Sequence, residues 1–162
     1  MKSRKSASHK RRKRVVPTST SDSRFIVRRT VNWGDCDPAG FIYTPRVLDF
    51  ACEIVDAWFR EHLKFSWWQL KTRGRGLGFP TVNSVCDFMS IVRPDQALQL
   101  KLSVLEIGKS SVVFEIDGMT EGNRRAFRVK LVSCAIEMIT YRATPIPLQI
   151  RKRLEAYKAA CC

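Results

Sequence analysis

The sequence predicts an α+β domain in which a single long helix packs against an antiparallel sheet. Three observations lead to this prediction. An apolar-rich stretch runs from Thr44 to Leu63, four β-branched segments follow one another within residues 81–140, and turn residues separate those segments. Strands joined by tight turns pair antiparallel, whereas parallel strands need long crossover connections. A helix followed by a run of strands therefore indicates segregated α and β elements rather than alternating ones.

The first half of the domain is predicted to supply one strand and the long helix. The strand is predicted at residues 24–31, whose sequence RFIVRRTV mixes β-branched and aromatic residues, and a turn-rich loop follows at 32–40. Thr44 is predicted as the N-cap of the helix and Pro45 as its first residue, because the N–H that proline lacks would be unpaired there. The helix is predicted to be buried, since apolar residues nearly surround it. These residues are Val47, Leu48, Ala51, Ile54, Val55, Trp58 and Phe59.

The second half of the domain is predicted to supply the remaining strands and a closing helix. Residues 64–79 contain a Trp-Trp pair and a glycine-rich segment, and they are predicted to form a loop. A final helix is predicted at about 148–159. The chain is thus divided into a tail at 1–21 and one domain at 22–162 that includes this C-terminal helix. The four predicted strands lie at 81–90, 98–107, 111–119 and 124–140.

The basic charge of the chain is concentrated at its start. The formal net charge is +14, yet eight of the 29 basic residues lie within residues 1–21, where there is no acidic residue. This segment could be an arm that binds nucleic acid or a nuclear targeting patch. It could equally be a solvated, disordered extension. We favour the extension and expect no nucleic-acid partner, because the segment has no aromatic side chains to stack on bases.

The apolar and cysteine patterns predict a cytoplasmic protein. No stretch approaches the roughly 20 consecutive apolar residues that span a bilayer, and no apolar run follows the basic start as in a secretory signal. The six cysteines show no CxxC spacing and no companion histidines, so neither a zinc site nor a redox motif is predicted. Scattered single thiols are typical of a reducing compartment.

The segment that carries most information about function is WGDCDPAGFIYTPR at residues 33–46. It resembles the signature of the 4-hydroxybenzoyl-CoA thioesterase family, a branch of the hotdog superfamily, in which an aromatic-Gly-Asp-x-Asp-Pro-x-Gly run leads into the central helix. The resemblance extends over about residues 24–142, because the helix and four strands come in the order of the family. It implies a hotdog fold and hydrolysis of acyl-CoA thioesters. It implies no cofactor, since coenzyme A is part of the substrate.

Asp37 is the residue that matches the catalytic carboxylate of the family. Hydrolysis of a thioester needs a nucleophile or a base for water, together with donors for the oxyanion that forms on the carbonyl. Asp37 suits either of the first two roles. The resemblance assigns the oxyanion donor to the backbone amide of Thr44, at the positive end of the helix dipole. Gly40 is expected to allow close approach of chain and ligand, and Tyr43 to border the substrate.

Other interpretations of these residues remain open. Asp-Pro and Asp-x-Asp runs are often plain turns, and Asp35 could support the loop through backbone amides. A second branch of the family places its carboxylate further along the chain, which keeps Asp87 as a minor alternative. The chain has only two histidines, His9 and His62, which disfavours a His-based triad or hydratase. His62 is predicted to interact with carbonyls in the last turn of the helix.

The resemblance also places the CoA moiety. Lys109, Ser110 and Ser111 match the Lys-Ser element with which the family contacts the nucleotide, although Gly-Lys-Ser could equally be a simple hairpin turn. Arg124 and Arg125 are weaker candidates for the same role. Gly78 is predicted to border the acyl pocket.

The sequence thus predicts an acyl-CoA thioesterase that acts on a 4-hydroxybenzoyl-like, other aryl or other acyl group. Many family members have tyrosine where Thr44 stands, so the shape of the acyl pocket is expected to differ. The resemblance implies dimers with sites at an interface where two sheets join edge to edge, and usually a dimer of dimers. The alternative function is a non-catalytic hotdog module that binds acyl-CoA, or a regulator.

Overall fold

A computed structural model describes residues 22–73 and 76–161, so the predicted tail at 1–21 lies outside the described residues. These described residues form three α-helices and seven β-strands in the order β1, α1, α2, β2 to β7 and α3, with short 3₁₀ turns at Trp33–Asp35 and Glu121–Asn123. The helices are α1 Thr44–Leu63, α2 Trp67–Arg73 and α3 Leu148–Ala160. The strands are β1 Phe25–Thr30, β2 Leu77–Gly78, β3 Thr81–Phe88, β4 Ala97–Ile107, β5 Ser111–Thr120, β6 Arg124–Cys134 and β7 Ile136–Glu137.

Five of the strands form one antiparallel sheet that packs on α1. The strand order is β1-β4-β5-β6-β3, and every neighbouring pair is antiparallel. Alternate residues of β4, such as Leu98, Leu100 and Leu102, are buried in the same core as Phe50 and Trp58 of α1. Each large apolar side chain buried in this way contributes about 1.5–3 kcal/mol to stability. The sheet with its central helix confirms the predicted hotdog fold.

The prediction of a loop at 64–79 is partly wrong, because this segment contains α2 and β2. The start of α2 has a reciprocal cap: the Gln69 N–H donates to Ser66 Oγ at 3.2 Å, and the Ser66 N–H donates to Gln69 Oε1 at 3.0 Å. A Ser-x-x-Gln run of this kind favours a helix start. The Trp67 N–H is bound by Asp56 of α1 at 3.0 Å, which ties α2 to the long helix.

The predicted cap of α1 is wrong by one position. Tyr43 is the N-cap, and Thr44 is already the first helical residue, with Pro45 second. The Tyr43 N–H donates to the carbonyl of Asp35 at 2.9 Å, and this bond stops the helix from starting earlier. Proline is tolerated at the second position because the N–H groups of the whole first turn have no intrahelical acceptor. The last predicted strand also ends early, at Cys134, and the short β7 pairs with β2.

The sheet has two ends of different composition. At one end, which we call the Asp37 end, lie the end of β1 at Thr30, the end of β3 at Phe88 and the start of α1. At the other, the Lys109 end, lie the start of β1 at Phe25 and the turn between β4 and β5. The 20 residues of α1 span the distance between them, about 30 Å.

The C-terminal helix α3 closes the Lys109 end. The Tyr157 hydroxyl donates to the Leu102 carbonyl at 2.6 Å and accepts from the Phe25 N–H at 2.7 Å, so it joins α3 to β4 and β1. Arg151 donates to the carbonyls of Gly108 and Lys109. Within residues 22–73 and 76–161, no helix combines the length and apolar character needed to cross a membrane.

Candidate active site

The loop that carries Asp37 is held in a tight, defined conformation. The Asp37 N–H donates to the Phe41 carbonyl at 3.0 Å, and the Gly40 N–H donates to the Asp37 carbonyl at 2.9 Å. Gly40 has φ +81°, in the left-handed region that favours glycine, while a Cβ there would meet no atom within 4 Å. The glycine is therefore needed for its backbone conformation. Cys36 and Ile42 form a β-bridge that closes the loop.

The Asp37 carboxylate is half-buried and has one oxygen available to a ligand. Its Oδ1 accepts the Ala39 N–H at 2.9 Å, a local turn contact that orients the carboxyl group. Among the described residues, Oδ2 has no hydrogen-bond partner and no basic side chain forms an ion pair with this carboxylate. The geometry therefore leaves Asp37 free to act on a substrate or a water molecule.

Asp35, two residues earlier, is fully engaged within the protein. Its side chain is 2% exposed, and Oδ1 accepts from Nη2 of Arg46 at 2.7 Å and from Nε at 3.1 Å. Its Oδ2 accepts the Asn32 N–H at 2.9 Å and lies 3.9 Å from Nη2 of Arg29. The predicted support through a backbone amide is present, but the sequence reasoning missed both arginines.

The Asp35 network stays charged and fixes the site. Burial acts to raise the pKa of Asp35, but hydrogen bonds from Asn32 and Arg46 and the nearby charges of Arg46 and Arg29 hold it below its ordinary value. Arg46 lies in the first turn of α1 and Arg29 in β1. The ionised carboxylate of Asp35 therefore locks the Asp37 loop to both elements.

The amide of Thr44 is an available donor. Thr44 is the first residue of α1, and in the described part of the chain no acceptor binds its N–H. The N–H groups at this position lie at the positive end of the helix dipole, where they stabilise a negative charge. The oxyanion-donor role predicted for this amide stays a prediction, and the side chain of Thr44 is exposed.

A cavity of about 330 Å³ opens beside this amide. Thr44 lines it together with Phe41 and Ile42, and residues 88–92 from the connection after β3 form the facing wall. The Ser90 Oγ is buried and has no hydrogen-bond partner among the described residues. Sequence reasoning missed Ser90, because it lies over 40 residues from Thr44 and no local pattern marks it. An apolar wall with one hydroxyl suits an acyl group with a polar carbonyl.

Cys36, between the two aspartates, is not a candidate nucleophile. Burial raises the pKa of its thiol, and the charges of Asp35 and Asp37 raise it further. The thiol is therefore neutral at physiological pH, whereas a nucleophilic cysteine needs a lowered pKa.

The predicted CoA-contacting residues lie at the opposite end of the sheet. Lys109 and Ser110 lie in the turn between β4 and β5, Ser111 is the first residue of β5, and the side chain of Lys109 is exposed. Gly78 is also at the Lys109 end, where a Cβ would meet Met138 Sδ at 2.5 Å. The structure brings together Asp37, Gly40, Tyr43 and Thr44, but within one chain the Lys109 turn lies at the opposite end of the sheet.

The minor alternative based on Asp87 is not assembled within one chain. Asp87 lies near the end of β3 and pairs in register with Arg128, whereas Gly78 precedes the start of β3. The two are separated by most of this eight-residue strand, roughly 25 Å at the rise of a β-strand.

The prediction that His62 interacts with carbonyls in the last turn of α1 is wrong. In the described part of the chain its ring makes no hydrogen bond to the last carbonyls of α1. It stacks on Trp58 with ring centroids 4.9 Å apart and lies 5.2 Å from Tyr157. The aromatic surroundings come from α1 and α3, and the sequence around His62 could not indicate them.

Comparisons with known proteins agree with this architecture. A family model described as thioesterase-like superfamily matches residues 31–154. A thioesterase superfamily protein from Jannaschia sp. CCS1 superposes with a TM-score of 0.77 and 31% identity, and the match covers 83% of this chain and 93% of that one.

Two further solved structures share the fold at lower identity. A hypothetical protein from Staphylococcus aureus, solved in complex with CoA, gives a TM-score of 0.78 and 12% identity over 85% of each chain. A 1,4-dihydroxy-2-naphthoyl-CoA thioesterase from Synechocystis gives 0.74 and 18% identity, covering 80% of this chain and 94% of that one. At these identities the likeness concerns the fold alone.

Proposed function

Because this chain belongs to the thioesterase-like superfamily, we propose that it hydrolyses a thioester of coenzyme A to a free acid and CoA, with Asp37 as the catalytic carboxylate. One observation carries the proposal. Among the described residues, Oδ2 of Asp37 has no hydrogen-bond partner, and the Thr44 amide, one short loop away at the start of the buried helix, has no acceptor. A carboxylate and an oxyanion donor are the two groups that acyl transfer to water requires.

In the proposed mechanism the thioester carbonyl oxygen points at the Thr44 N–H. Asp37 either attacks the carbonyl carbon itself or removes a proton from a water molecule that attacks it. The negative charge that develops on the carbonyl oxygen is stabilised by the amide and the helix dipole. The C–S bond then breaks, and CoA leaves as a thiolate. In the nucleophilic route one water molecule then hydrolyses the mixed anhydride on Asp37, whereas the general-base route needs no covalent intermediate.

The acyl group is proposed to be apolar, with an aryl group of the 4-hydroxybenzoyl type among the first to test. Phe41 and Phe88 supply aromatic surface in the cavity beside Thr44, and Met89 and Ile91 supply aliphatic surface. Its volume of about 330 Å³ fits a small ring or a short chain. We further propose that the Ser90 hydroxyl, buried in this wall, donates to a polar atom of the acyl group or the thioester.

We propose that two chains share each site. β3 lies at the edge of the sheet and carries exposed apolar side chains, including Val82 at 60% and Val85 at 50% exposure. An uncovered edge of this kind favours pairing with another strand. Antiparallel pairing of two β3 strands would set the Asp37 end of one chain beside the Lys109 end of the other. Lys109 of one chain could then reach the phosphates of a CoA whose thioester lies at Asp37 of the other.

A cytosolic location completes the proposal. The described cysteines Cys36, Cys52, Cys86, Cys134 and Cys161 are all unpaired. Free thiols suit a reducing compartment.

The test is thiol release from a panel of CoA esters that spans benzoyl, 4-hydroxybenzoyl and short to long aliphatic groups. Turnover with at least one ester supports the proposed hydrolysis, and the preferred group identifies the substrate class. The alternative, a module that binds acyl-CoA without hydrolysing it, predicts saturable binding of the same esters with no thiol released. That result with every ester would overturn the proposed activity.

A further inference from the structure

A large cleft at the Lys109 end is lined by none of the residues assigned to the proposed reaction. It has a volume of about 1190 Å³ and lies between the end of α1 and the start of α3. Its apolar surface comes from α1 and the connection that follows, from β2 and from α3. The main contributors are Leu63, Phe65, Leu70, Leu77 and Ile150. The cleft exceeds the volume of many small-molecule sites, which are typically about 300–1,000 Å³.

One wall of this cleft is anchored to the sheet by specific contacts. The Ile146 N–H donates to the Lys109 carbonyl at 2.9 Å, and the Thr144 N–H donates to the Ala135 carbonyl at 2.9 Å. These bonds anchor the segment that leads into α3, and Arg151 anchors the first turns of the helix. The start of α3 is therefore held in a defined position beside the apolar surface of the cleft.

Arg153 offers a cation to a ligand at the mouth of the cleft. Arg153 of α3 lines the cleft and forms no ion pair or hydrogen bond with another described residue. Glu61 lies 3.7 Å from Lys64, and Glu137 accepts the Thr140 hydroxyl at 2.7 Å. The lining side chains carry two acidic and two basic groups, so their formal charges balance. Arg153 is distinguished from Lys64 because no described carboxylate lies within ion-pair distance of its guanidinium.

His62 adds a neutral polar group to the same wall. Burial lowers the pKa of its imidazole, and the charges of Lys64 and Arg153 lower it further, while Glu61 acts in the opposite direction. Phe25 and Tyr157 pack against the ring. A neutral imidazole can donate one N–H to an anion without being charged itself.

We propose that this cleft binds an apolar carboxylate, with its head group on Arg153 and its chain against Leu70, Leu77 and Ile150. A carboxylate matches the planar fork of a guanidinium, which can donate two parallel hydrogen bonds to it. A cationic amphiphile would leave Arg153 without a partner. The site lies at the far end of α1 from Asp37 and does not rest on the proposed thioesterase reaction.

The direct test is titration of the full-length protein with octanoate by calorimetry. Saturable binding with a dissociation constant of about 1 mM or lower is expected, in line with the affinity that a ligand of this size reaches. Arg153→Gln should weaken binding about three- to tenfold, the range for a charge pair at a partly exposed site. Lys152→Gln is the matched control, because Lys152 is an exposed cation one residue away that does not line the cleft. It should bind octanoate like the wild type.

A second measurement locates the ligand. The chain has only two histidines, so the His62 resonances can be assigned by NMR with a His9→Gln variant. Octanoate bound at Arg153 should shift the His62 signals and raise the pKa of this residue, because a carboxylate stabilises the imidazolium. Octylammonium should do neither. The Asp37→Asn variant should respond to octanoate like the wild type. Octanoate binding can therefore be observed even if the proposed thioester hydrolysis is not.

Three outcomes would overturn the proposal. They are the absence of saturable octanoate binding, equal affinity in the wild type and Arg153→Gln, and equal binding of octylammonium. A pair of exposed variants distinguishes weaker binding from a folding defect. Leu148→Glu adds an acid at an exposed position of the cleft and should weaken octanoate binding, whereas Ile139→Glu adds one at an exposed position that does not line it.

Discussion

The two ends of the hotdog sheet differ in what they offer to a ligand. The Asp37 end has a small cavity, a carboxylate with a free oxygen and an unpaired amide at the start of α1. The Lys109 end has a large cleft and exposed basic side chains. The start of α1 places the positive end of its dipole beside the Asp37 loop, where it stabilises a developing negative charge. The start of α3 lies at the Lys109 end, but none of the residues assigned to the reaction lines the cleft there.

The largest effect in this comparison of the two ends is expected from Asp37→Asn. Turnover should fall by about a hundred- to ten-thousandfold, the range for losing a positioned base or nucleophile, while the protein still folds and binds CoA. Thiol release measures the loss of turnover, and equilibrium binding measures the retained affinity for CoA. Asp95→Asn is the matched control, since Asp95 is exposed with φ +65°, a conformation that asparagine tolerates. Wild-type turnover in Asp37→Asn would remove Asp37 from the mechanism.

Thr44→Pro tests the other half of the reactive pair, because it deletes the N–H itself. Loss of one oxyanion donor lowers turnover by about a hundred- to a thousandfold. Thr44→Ser keeps the amide and should stay close to wild type. Circular dichroism and CoA binding must show that the proline variant is folded. If the folded variant turns over at the wild-type rate, the donor lies elsewhere, and the segment ending at Gly78 becomes the next candidate.

Lys109→Gln tests whether the two ends of different chains meet. We expect KM to rise about tenfold with little change in kcat, because a phosphate contact contributes to binding rather than to chemistry. Mixing Asp37→Asn and Lys109→Gln chains should restore low-KM activity. In a mixed dimer one site would combine the intact Asp37 of one chain with the intact Lys109 of the other. Without such complementation, the shared site is rejected.

Ser90→Ala tests the wall opposite Thr44. A neutral hydrogen bond contributes about 0.5–1.5 kcal/mol, so turnover or KM should worsen about two- to tenfold. Ser90→Thr keeps the hydroxyl and serves as the comparison in the same assay. An alanine variant identical to wild type with every ester would show that the hydroxyl does not contact the substrate.

The smallest effect on catalysis is expected from Asp35→Asn, which should mainly lower stability. Since the folded protein holds the pKa of Asp35 below its ordinary value, the ionised carboxylate stabilises the fold above about pH 4. This contribution is lost as the pH falls through the lowered pKa. Wild type should therefore exceed the variant in unfolding temperature at pH 7, and the difference should shrink below pH 4. A difference that does not depend on pH would mean that the charge is not what stabilises the loop.

The sequence by itself determined the fold class, the central helix and the position of Asp37. These features depend on local patterns: apolar residues at helical spacing, Thr44-Pro45 at a helix start, and Gly40 where the backbone needs a positive φ. The capping run that starts α2 at Ser66 is also local, and attention to it would have corrected the predicted loop.

The tertiary structure alone decided how the site is supported and what the ends of the sheet contain. Arg29 and Arg46 reach Asp35 from two different elements, and Ser90 comes to the Thr44 cavity from the connection after β3. The order of the strands places the Lys109 turn far from Asp37. The cleft between α1 and α3 exists only because distant segments pack together. Such contacts are set by the burial of side chains far apart in the chain, which leaves no local pattern to read.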